Sequence, residues 1–330
     1  MISAAIVEAE QYMLDQGIVA VGDICNTPDT IRQKTDGRLY YHNFIEAAGF
    51  IEGGAADRFA QAVALFRQFA EAYSIPIESN SIVPHAPYSV SPRLFELIAG
   101  FPGNHLLTIH NQESEEENIF YRRGEGEFLR LYQALGLDIS SFRGSGKRSL
   151  ESYLPHFYRN QTLLLVHNVA TGEGDFEAAS FERRAASEKG DVPGRPGPER
   201  GRPDLYFCLC PNANLYISGR LPDLGLLRNH TDRIVLGTDS LASNHQLSIL
   251  EEMKTLLANF RDVPTSTLLR WATLNGAQAL QMDGLLGSFT PGKQPGVVVI
   301  EAEGAGGRGA EGSANEEPGL SAEATARRVI

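Results

Sequence analysis

Short apolar runs alternate with segments of helical periodicity along most of the chain. The runs are rich in leucine and β-branched residues and are bounded by turn residues, which is typical of strands buried in a parallel sheet. This pattern predicts seven strands, near residues 18–24, 40–45, 80–84, 105–110, 162–167, 205–210 and 233–239. Helical spacing of apolar residues predicts helices near 3–16, 53–73, 246–259 and 265–280, and one helix of about twenty residues that follows His110 and runs through Leu135.

The alternation of strands and helices predicts parallel βαβ units. Eight strands would close a (β/α)8 barrel, and the chain begins on a helix. We therefore predict an α/β fold, a TIM-like barrel that lacks its first strand in this chain. An open doubly wound sheet is the alternative. No glycine-rich phosphate loop follows a strand, which counts against a dinucleotide-binding fold.

Shifts in composition divide the chain. Residues 1–285 carry the barrel pattern, interrupted at about 172–204 by a stretch too rich in Pro, Gly and charge to pack, which predicts a surface insertion. Residues 286–300 combine a turn with one more apolar strand. Residues 301–330 are rich in Gly, Ala and Glu, and we predict that they are disordered.

Charge and cysteine content narrow the class of partner. The net charge is −12 and the pI is near 5.2, which argues against nucleic acid or an anionic membrane as the main partner. No apolar run is long enough for a membrane span. Cys208 and Cys210 share one face of a strand, where burial is favoured over a thiolate metal pair because no second pair exists. We expect a cytoplasmic enzyme with a small-molecule substrate, and its apolar helix faces are compatible with a homodimer.

Residues with ligand or acid/base chemistry end three of the strands. His110, His167 and Asp239 each follow an apolar or β-branched run. The carboxyl ends of barrel strands meet at one face, where catalytic groups lie. Imidazole is a good ligand for zinc or iron, and a buried carboxylate needs a cation or several donors. The pattern therefore predicts a metal site or an acid/base cluster at this face.

Further carboxylates lie near these strand ends. Glu113, three residues past His110, is placed to shuttle a proton between an activated water and a leaving group. The acids at 115–117 are typical of a solvated helix N-terminus favoured by the helix dipole. Glu46 also ends a strand, with a weaker case for function.

Three other residues leave alternatives open. His85 lies between two prolines and is either a substrate contact or the partner of a loop-stabilising hydrogen bond. His167 is either a metal ligand or a proton-carrying group. Ser243 follows Asp239 and either caps the next helix or contacts substrate.

Several motifs resemble the amidohydrolase superfamily. The likeness is greatest to its metal-dependent deaminase and chlorohydrolase branch, which includes adenosylhomocysteine, aminofutalosine, guanine and cytosine deaminases. It extends over roughly residues 1–300 and is carried by the stretches Pro84–Ser89, Thr108–Glu113, Leu165–Asn168, Cys210–Tyr216, Leu236–Asn244 and Gly287–Gly296.

The resemblance implies a (β/α)8 barrel with one divalent metal, zinc or alternatively iron. It implies that His110 and Asp239 are metal ligands, and that Asp239 also helps to deprotonate water. Glu113 matches the proton-shuttling acid of the family, and His167 matches the residue that polarises or protonates the reacting group. His85 matches a residue of the substrate pocket.

The implied activity is metal-dependent hydrolysis of C–N bonds other than peptide bonds, through a metal-activated water. We expect an aminohydrolase that deaminates a purine-like or other nitrogen-heterocyclic substrate. A chlorohydrolase or cyclic amidase of the same family is an alternative. Residues 286–300 resemble the remnant of the small β domain that flanks the barrel in this family.

One family motif is missing. The His-x-His pair that ends the first barrel strand of family members occurs nowhere in this sequence. Either a segment before Met1 supplies the pair, or it has been lost. With only His110 and Asp239 as ligands, we expect the chain as given to bind metal weakly. A metal-poor, non-catalytic barrel fragment or binding scaffold is therefore the remaining alternative.

Overall fold

Each of the seven apolar runs forms a strand. The computed structural model describes residues 1–72, 76–178, 201–301 and 320–329. The strands are β1 (Ala20–Cys25), β2 (Tyr40–Ala47), β3 (Asn80–Pro84), β4 (Leu106–Asn111), β5 (Thr162–His167), β6 (Asp204–Leu209) and β7 (Ile234–Leu236). They form two parallel sheets in chain order, β1-β2-β3 and β4-β5-β6-β7. The α/β fold with parallel strands is confirmed.

The two sheets meet where β3 lies beside β4. The side chain of Asn104, just before β4, takes the place of a strand partner for Ile82. Its Nδ2 donates to the Ile82 carbonyl at 2.7 Å, and its Oδ1 accepts from the Ile82 amide at 3.0 Å. At the other end of the strands, the amide of His110 donates to the carbonyl of His85 at 2.9 Å. The carboxyl ends of β3 and β4 therefore lie side by side.

Helices connect the strands and pack on them. Their bounds are α1 Ile2–Asp15, α2 Ile31–Lys34, α3 Ala55–Glu71, α4 Pro92–Ala99, α5 Glu115–Arg123, α6 Glu127–Ala134, α7 Ser149–Tyr153, α8 Pro211–Ser218, α9 Leu224–His230, α10 Ile249–Asn259, α11 Thr265–Arg270 and α12 Gly276–Ala279. α4 starts as its sequence predicts, because Ser91 Oγ accepts from the Leu94 amide and Pro92 occupies the first helical position. Among the described residues, no helix has the length and apolar character needed to cross a lipid bilayer.

The core lies between the sheets and these helices. Its largest members are fully buried aromatic and aliphatic side chains, including Phe44, Phe69, Ile82, Phe95, Leu107 and Phe157. A smaller aromatic cluster, centred on Phe120, joins α5 and α6. Burial of this much apolar surface holds the strand ends, and the polar residues on them, in fixed positions.

Two predictions about secondary structure are wrong. The single helix predicted after His110 is two helices, α5 and α6, because Gly124 and Gly126 between them adopt φ values of 67° and 98°. Only glycine adopts this left-handed region at no steric cost. The tail predicted to be disordered contains a strand, β9 (Thr325–Arg328), which pairs antiparallel with β8 (Val298–Glu301). The central parts of the predicted insertion and tail, 179–200 and 302–319, lie outside the described residues.

Candidate active site

Four of the predicted site residues lie together at the carboxyl ends of β3, β4 and β5. His110 Nδ1 is 3.0 Å from His167 Nε2, and the two rings stack at 18° with their centroids 5.1 Å apart. The ring of His85 is also 5.1 Å from that of His110. Glu113 Oε1 lies 3.6 Å from His167 Nε2. Parallel strand pairing accounts for this proximity; the chemical roles of the four residues stay predictions.

Hydrogen bonding assigns the protons of the two stacked histidines. Asn214, on α8, directs its Nδ2 toward the carbonyl of His167 at 3.4 Å, so its Oδ1 is the atom 2.8 Å from His167 Nδ1. An amide oxygen only accepts, so His167 carries its proton on Nδ1 and has a lone pair on Nε2. His110 must then donate to that lone pair from Nδ1. Its own Nε2 is left with a lone pair, free to bind a metal.

A carboxylate and a third histidine lie near that lone pair. Ligand atoms of Glu46, His85 and His110 lie within 4.8 Å of one another. Glu46 Oε2 is 4.0 Å from His110 Nε2, which is too long for a hydrogen bond. Two imidazoles and a carboxylate are suitable ligands for zinc or iron(II), and small shifts would bring these atoms to metal–ligand distances near 2 Å. This donor set therefore fits a divalent metal.

The protonation states agree with metal binding. Burial, reinforced by the neighbouring His167 and His85, lowers the pKa of His110 to about 3. His110 is therefore neutral at physiological pH, as a metal ligand must be. Burial raises the pKa of Glu46, while His85 and a hydrogen bond from Asn26 act in the opposite direction. A metal cation nearby would favour the ionised carboxylate.

Asp239 follows β7 and lies in a tight polar turn. Its Oδ1 accepts from the Ser240 amide at 2.7 Å, and its Oδ2 accepts from Ser243 Oγ at 2.5 Å. Within the described ranges, no ion pair at or below 4.0 Å joins Asp239 to a histidine. The structure therefore does not bring Asp239 and Ser243 into direct contact with His110. Ser243 neither caps a helix through its side chain nor faces open solvent, since it is 8% exposed.

Strand-end residues have unusual backbone conformations. His167, Asn168 and Asp239 adopt φ values of 80°, 61° and 58°. Such left-handed conformations cost residues with a Cβ atom about 1–3 kcal/mol each and persist where surrounding contacts hold them. Asn168 is held on both sides, because its Nδ2 donates to the Leu165 carbonyl at 2.8 Å and its Oδ1 accepts from Asn111 Nδ2 at 3.0 Å. The strained turn directs the His167 ring toward His110.

An aromatic wall stands beside His85. The ring of Tyr88 meets the His85 ring edge to face at 6.0 Å, and Tyr88 stacks on Phe128 of α6 at 4.1 Å. Burial and the nearby charges of Glu113, Glu117 and Glu46 raise the pKa of Tyr88. Tyr88 is therefore neutral and close to the carboxylates of the site. His85 Nδ1 is 2.7 Å from Ser89 Oγ, which leaves its Nε2 for another partner.

The structure contradicts the sequence prediction at Glu117 and goes beyond it at Asn214 and Glu46. Glu117 is not solvated but fully buried; its Oε1 accepts from the Gln112 amide, and burial raises its pKa to about 8. Asn214 was not given a role, although it lies in one of the resembling motifs. Glu46, for which the sequence makes a weaker case, lies in the group that could hold a metal, and its strand-end position is the same signal that identified His110. Cys210 is buried and Cys208 partly so, and neither belongs to a metal-capable group among the described residues.

Comparisons with known proteins agree with this architecture. The sequence model of the Amidohydrolase family matches residues 136–316, more than half of the chain. A 5-methylthioadenosine/S-adenosylhomocysteine deaminase of Teredinibacter turnerae is 33% identical over 236 residues, which cover 69% of this chain and 44% of the relative. The chain thus spans less than half the length of that relative.

Solved structures share the fold. Aminofutalosine deaminase of Helicobacter pylori superposes with a TM-score of 0.71 at 23% identity, covering 89% of this chain and 68% of that enzyme. An adenosine deaminase of Xanthomonas campestris with bound zinc gives a TM-score of 0.61 at 22% identity, covering 90% of this chain and 61% of that enzyme. With the matched family model, the apolar strands and the polar residues at their ends lead to one conclusion: the chain belongs to the amidohydrolase family.

Proposed function

We propose that the chain carries the active site of a metal-dependent aminohydrolase, which deaminates a purine-like or other nitrogen-heterocyclic substrate. The observation that carries the proposal is the array at the strand ends, where Glu113, His167 and His110 form a short path for protons beside a free imidazole lone pair. Family membership and relatives named as deaminases support it.

We consider two sets of ligands for the metal, and His110 belongs to both. The sequence resemblance pairs it with Asp239, and the geometry adds Glu46 and His85. We propose zinc as the metal, because zinc accepts this donor chemistry and is bound in the Xanthomonas campestris enzyme. A bound divalent metal lowers the pKa of water and so supplies a nucleophile at neutral pH.

Glu113 is the proposed proton carrier. Its carboxylate takes a proton from the attacking water and delivers it to a ring nitrogen. It then carries the second proton of that water to the amino group, which leaves as ammonia. The overall reaction replaces C–NH2 by C=O, consuming one water and releasing one ammonia.

His167 acts as the second proton carrier. Its Nε2 accepts from His110 Nδ1 in the resting state and lies 3.6 Å from Glu113, so it can accept a proton that Glu113 releases when the bond from His110 is broken. The resulting cation stabilises negative charge that develops on the oxygen added to the reacting carbon. Asn214 keeps the imidazole in the orientation that this transfer needs.

His85 and Tyr88 are proposed to bind the heterocycle, with Ser243 as a further polar contact. Planar heterocycles stack on aromatic faces, and Tyr88 presents one that Phe128 supports from behind. When His110 and Asp239 hold the metal, His85 Nε2 is left to hydrogen-bond a ring nitrogen or a substituent of the substrate.

Ammonia release tests the proposal. The purified chain, with stoichiometric zinc, is incubated with aminopurine nucleosides and other aminated heterocycles, and ammonia is measured by a coupled assay. We expect ammonia from at least one aminopurine nucleoside. Absence of ammonia from every aminated heterocycle, with zinc bound, would contradict the proposal.

A further inference from the structure

A buried carboxylate outside the candidate active site connects the segment that carries Asp239 with the segment that orients His167. Glu252, in the first turn of α10, is fully buried. Its Oε2 accepts from the Asn212 amide at 2.8 Å, and its Oε1 accepts from Asn212 Nδ2 at 2.9 Å and Asn244 Nδ2 at 2.7 Å. Three donors from two separate segments therefore converge on one side chain. Burying a carboxylate is costly unless such donors are supplied, so they maintain a fixed geometry.

One of these segments carries Asp239. Asn244 Nδ2, besides reaching Glu252, donates to the Thr238 carbonyl at 2.7 Å. The Asn244 amide donates to the Ser240 carbonyl, which closes the turn. The left-handed backbone of Asp239 lies inside this turn, between Thr238 and Ser240. Glu252 thus fixes the turn from its far end.

The other segment orients His167. Asn212 is the second residue of α8, so Glu252 accepts from an amide that has no partner within the helix. Thr255 Oγ1, one turn further along α10, donates to Asn212 Oδ1 at 2.5 Å. Asn214, two residues on, forms the 2.8 Å bond to His167 Nδ1. The position of α8 relative to α10 therefore sets the orientation of the His167 imidazole.

We propose that Glu252 is a positioning residue, which holds the Asp239 turn and the Asn214–His167 pair in a single arrangement. The inference rests on the proposed function, in that it assigns a common support to two of its residues. It concerns the geometry of these residues, through which turnover is affected indirectly. Glu252 contacts neither proposed residue directly and acts through Asn244 and Asn212.

The test is 15N NMR of the full chain labelled with 15N-histidine, in which the Nδ1 and Nε2 signals of the imidazoles are measured. The His167 signals are assigned by their loss in His167→Gln. Glu252→Gln places an amide NH2 against donors on Asn212 or Asn244, and we expect the His167 Nδ1 and Nε2 signals to shift or broaden. In a substrate assay, kcat falls about tenfold or more while KM changes less than twofold, as for other residues that orient reacting groups. Glu251→Gln, at the half-buried neighbouring position on α10 where the carboxylate pairs with Lys254, leaves both unchanged.

Asn244→Ala tests the coupling even where Glu252→Gln does not fold. This change is made on the Asp239 side, and we expect it to shift the His167 signals through Glu252. If folded Asn244→Ala and any folded Glu252→Gln leave the His167 signals as in the unchanged chain, the inference is overturned. The proposed function fails separately: absence of ammonia release would refute deamination, while shifted His167 signals would still support the positioning role.

Discussion

Asn214 and His167 are joined by a 2.8 Å hydrogen bond between Oδ1 and Nδ1, and this bond sets the protonation pattern of the site. Because Asn214 accepts, His167 must accept in turn from His110 Nδ1, and His110 Nε2 keeps its lone pair. A neutral amide, 47 residues along the chain from the histidine it orients, thereby leaves a lone pair on the proposed metal ligand His110.

Replacing Asn214 by leucine is expected to remove the preference of His167 for the tautomer protonated on Nδ1. Without the acceptor, the His167 proton distributes between Nδ1 and Nε2, and His110 loses its fixed acceptor. We expect 15N spectra of labelled histidine to show mixed tautomers, and turnover to fall about tenfold or more. Asn229→Leu, the same change at an exposed position on α9, should alter neither. Unchanged His167 signals in Asn214→Leu would contradict the tautomer assignment.

His110 is expected to be necessary for zinc binding. His110→Ala should weaken zinc affinity, measured by calorimetry or a chelator competition, by at least about tenfold. His105→Ala, at an exposed position just before the same strand, should bind zinc as the unchanged chain does. Equal affinity in His110→Ala would remove His110 from the ligand set.

The same titration assigns the carboxylate ligand. Asp239→Asn weakens zinc binding if the proposed pair of His110 and Asp239 holds the metal. Our account predicts that loss. A loss confined to Glu46→Gln would instead assign the metal to Glu46, His85 and His110.

Glu117 is expected to make stability depend on pH. Burial raises its pKa from the ordinary value of 4.5 to about 8, so between these values the folded chain binds a proton that the unfolded chain has released. The free energy of unfolding therefore falls as pH rises from about 4.5 to about 8, by up to about 1.4 kcal/mol per pH unit. Urea unfolding at several pH values should show a flatter profile for Glu117→Gln, whereas Glu125→Gln, at an exposed position, keeps the original slope. Parallel profiles for Glu117→Gln and the unchanged chain would show that Glu117 is ionised when folded.

Gly144 is expected to tolerate no side chain. A Cβ atom there would lie 2.5 Å from the Arg122 carbonyl oxygen at the end of α5. Gly144→Ala should therefore destabilise the fold by about 1–3 kcal/mol, as other overpacking substitutions do. Gly53→Ala, where a Cβ meets nothing within 4 Å, is the matched control. Equal thermal stability of the two variants would contradict this prediction, because it would show that the loop at Gly144 can move away from α5 at no cost in free energy.

The strands could be predicted because buried parallel strands are continuous apolar runs, and each ends where a polar residue meets the edge of the sheet. That same rule located His110, His167 and Asp239 in sequence. It could not show that Asp239 lies in a turn closed by Ser240 and Ser243, because those contacts depend on a left-handed backbone.

Burial of charged residues was the least predictable feature. Glu117 belongs to an acidic run that is typical of a solvated helix start, and only the rotation of α5 against the sheet buries it. Glu252 belongs to a similar acidic pair on α10, of which Glu252 is fully buried and Glu251 is half-buried and paired with Lys254. Sequence pattern gives the face of a helix approximately, whereas a single buried carboxylate depends on donors from distant segments, here Asn212 and Asn244.

Glu113→Gln tests the central claim most directly. With zinc bound and a substrate that releases ammonia, our account predicts that kcat falls at least about 100-fold, because glutamine cannot carry the proton, while KM stays within about twofold. Glu125→Gln, the same change at an exposed position beyond α5, should retain full turnover. A Glu113→Gln enzyme that keeps kcat within about twofold of the unchanged chain would contradict the account.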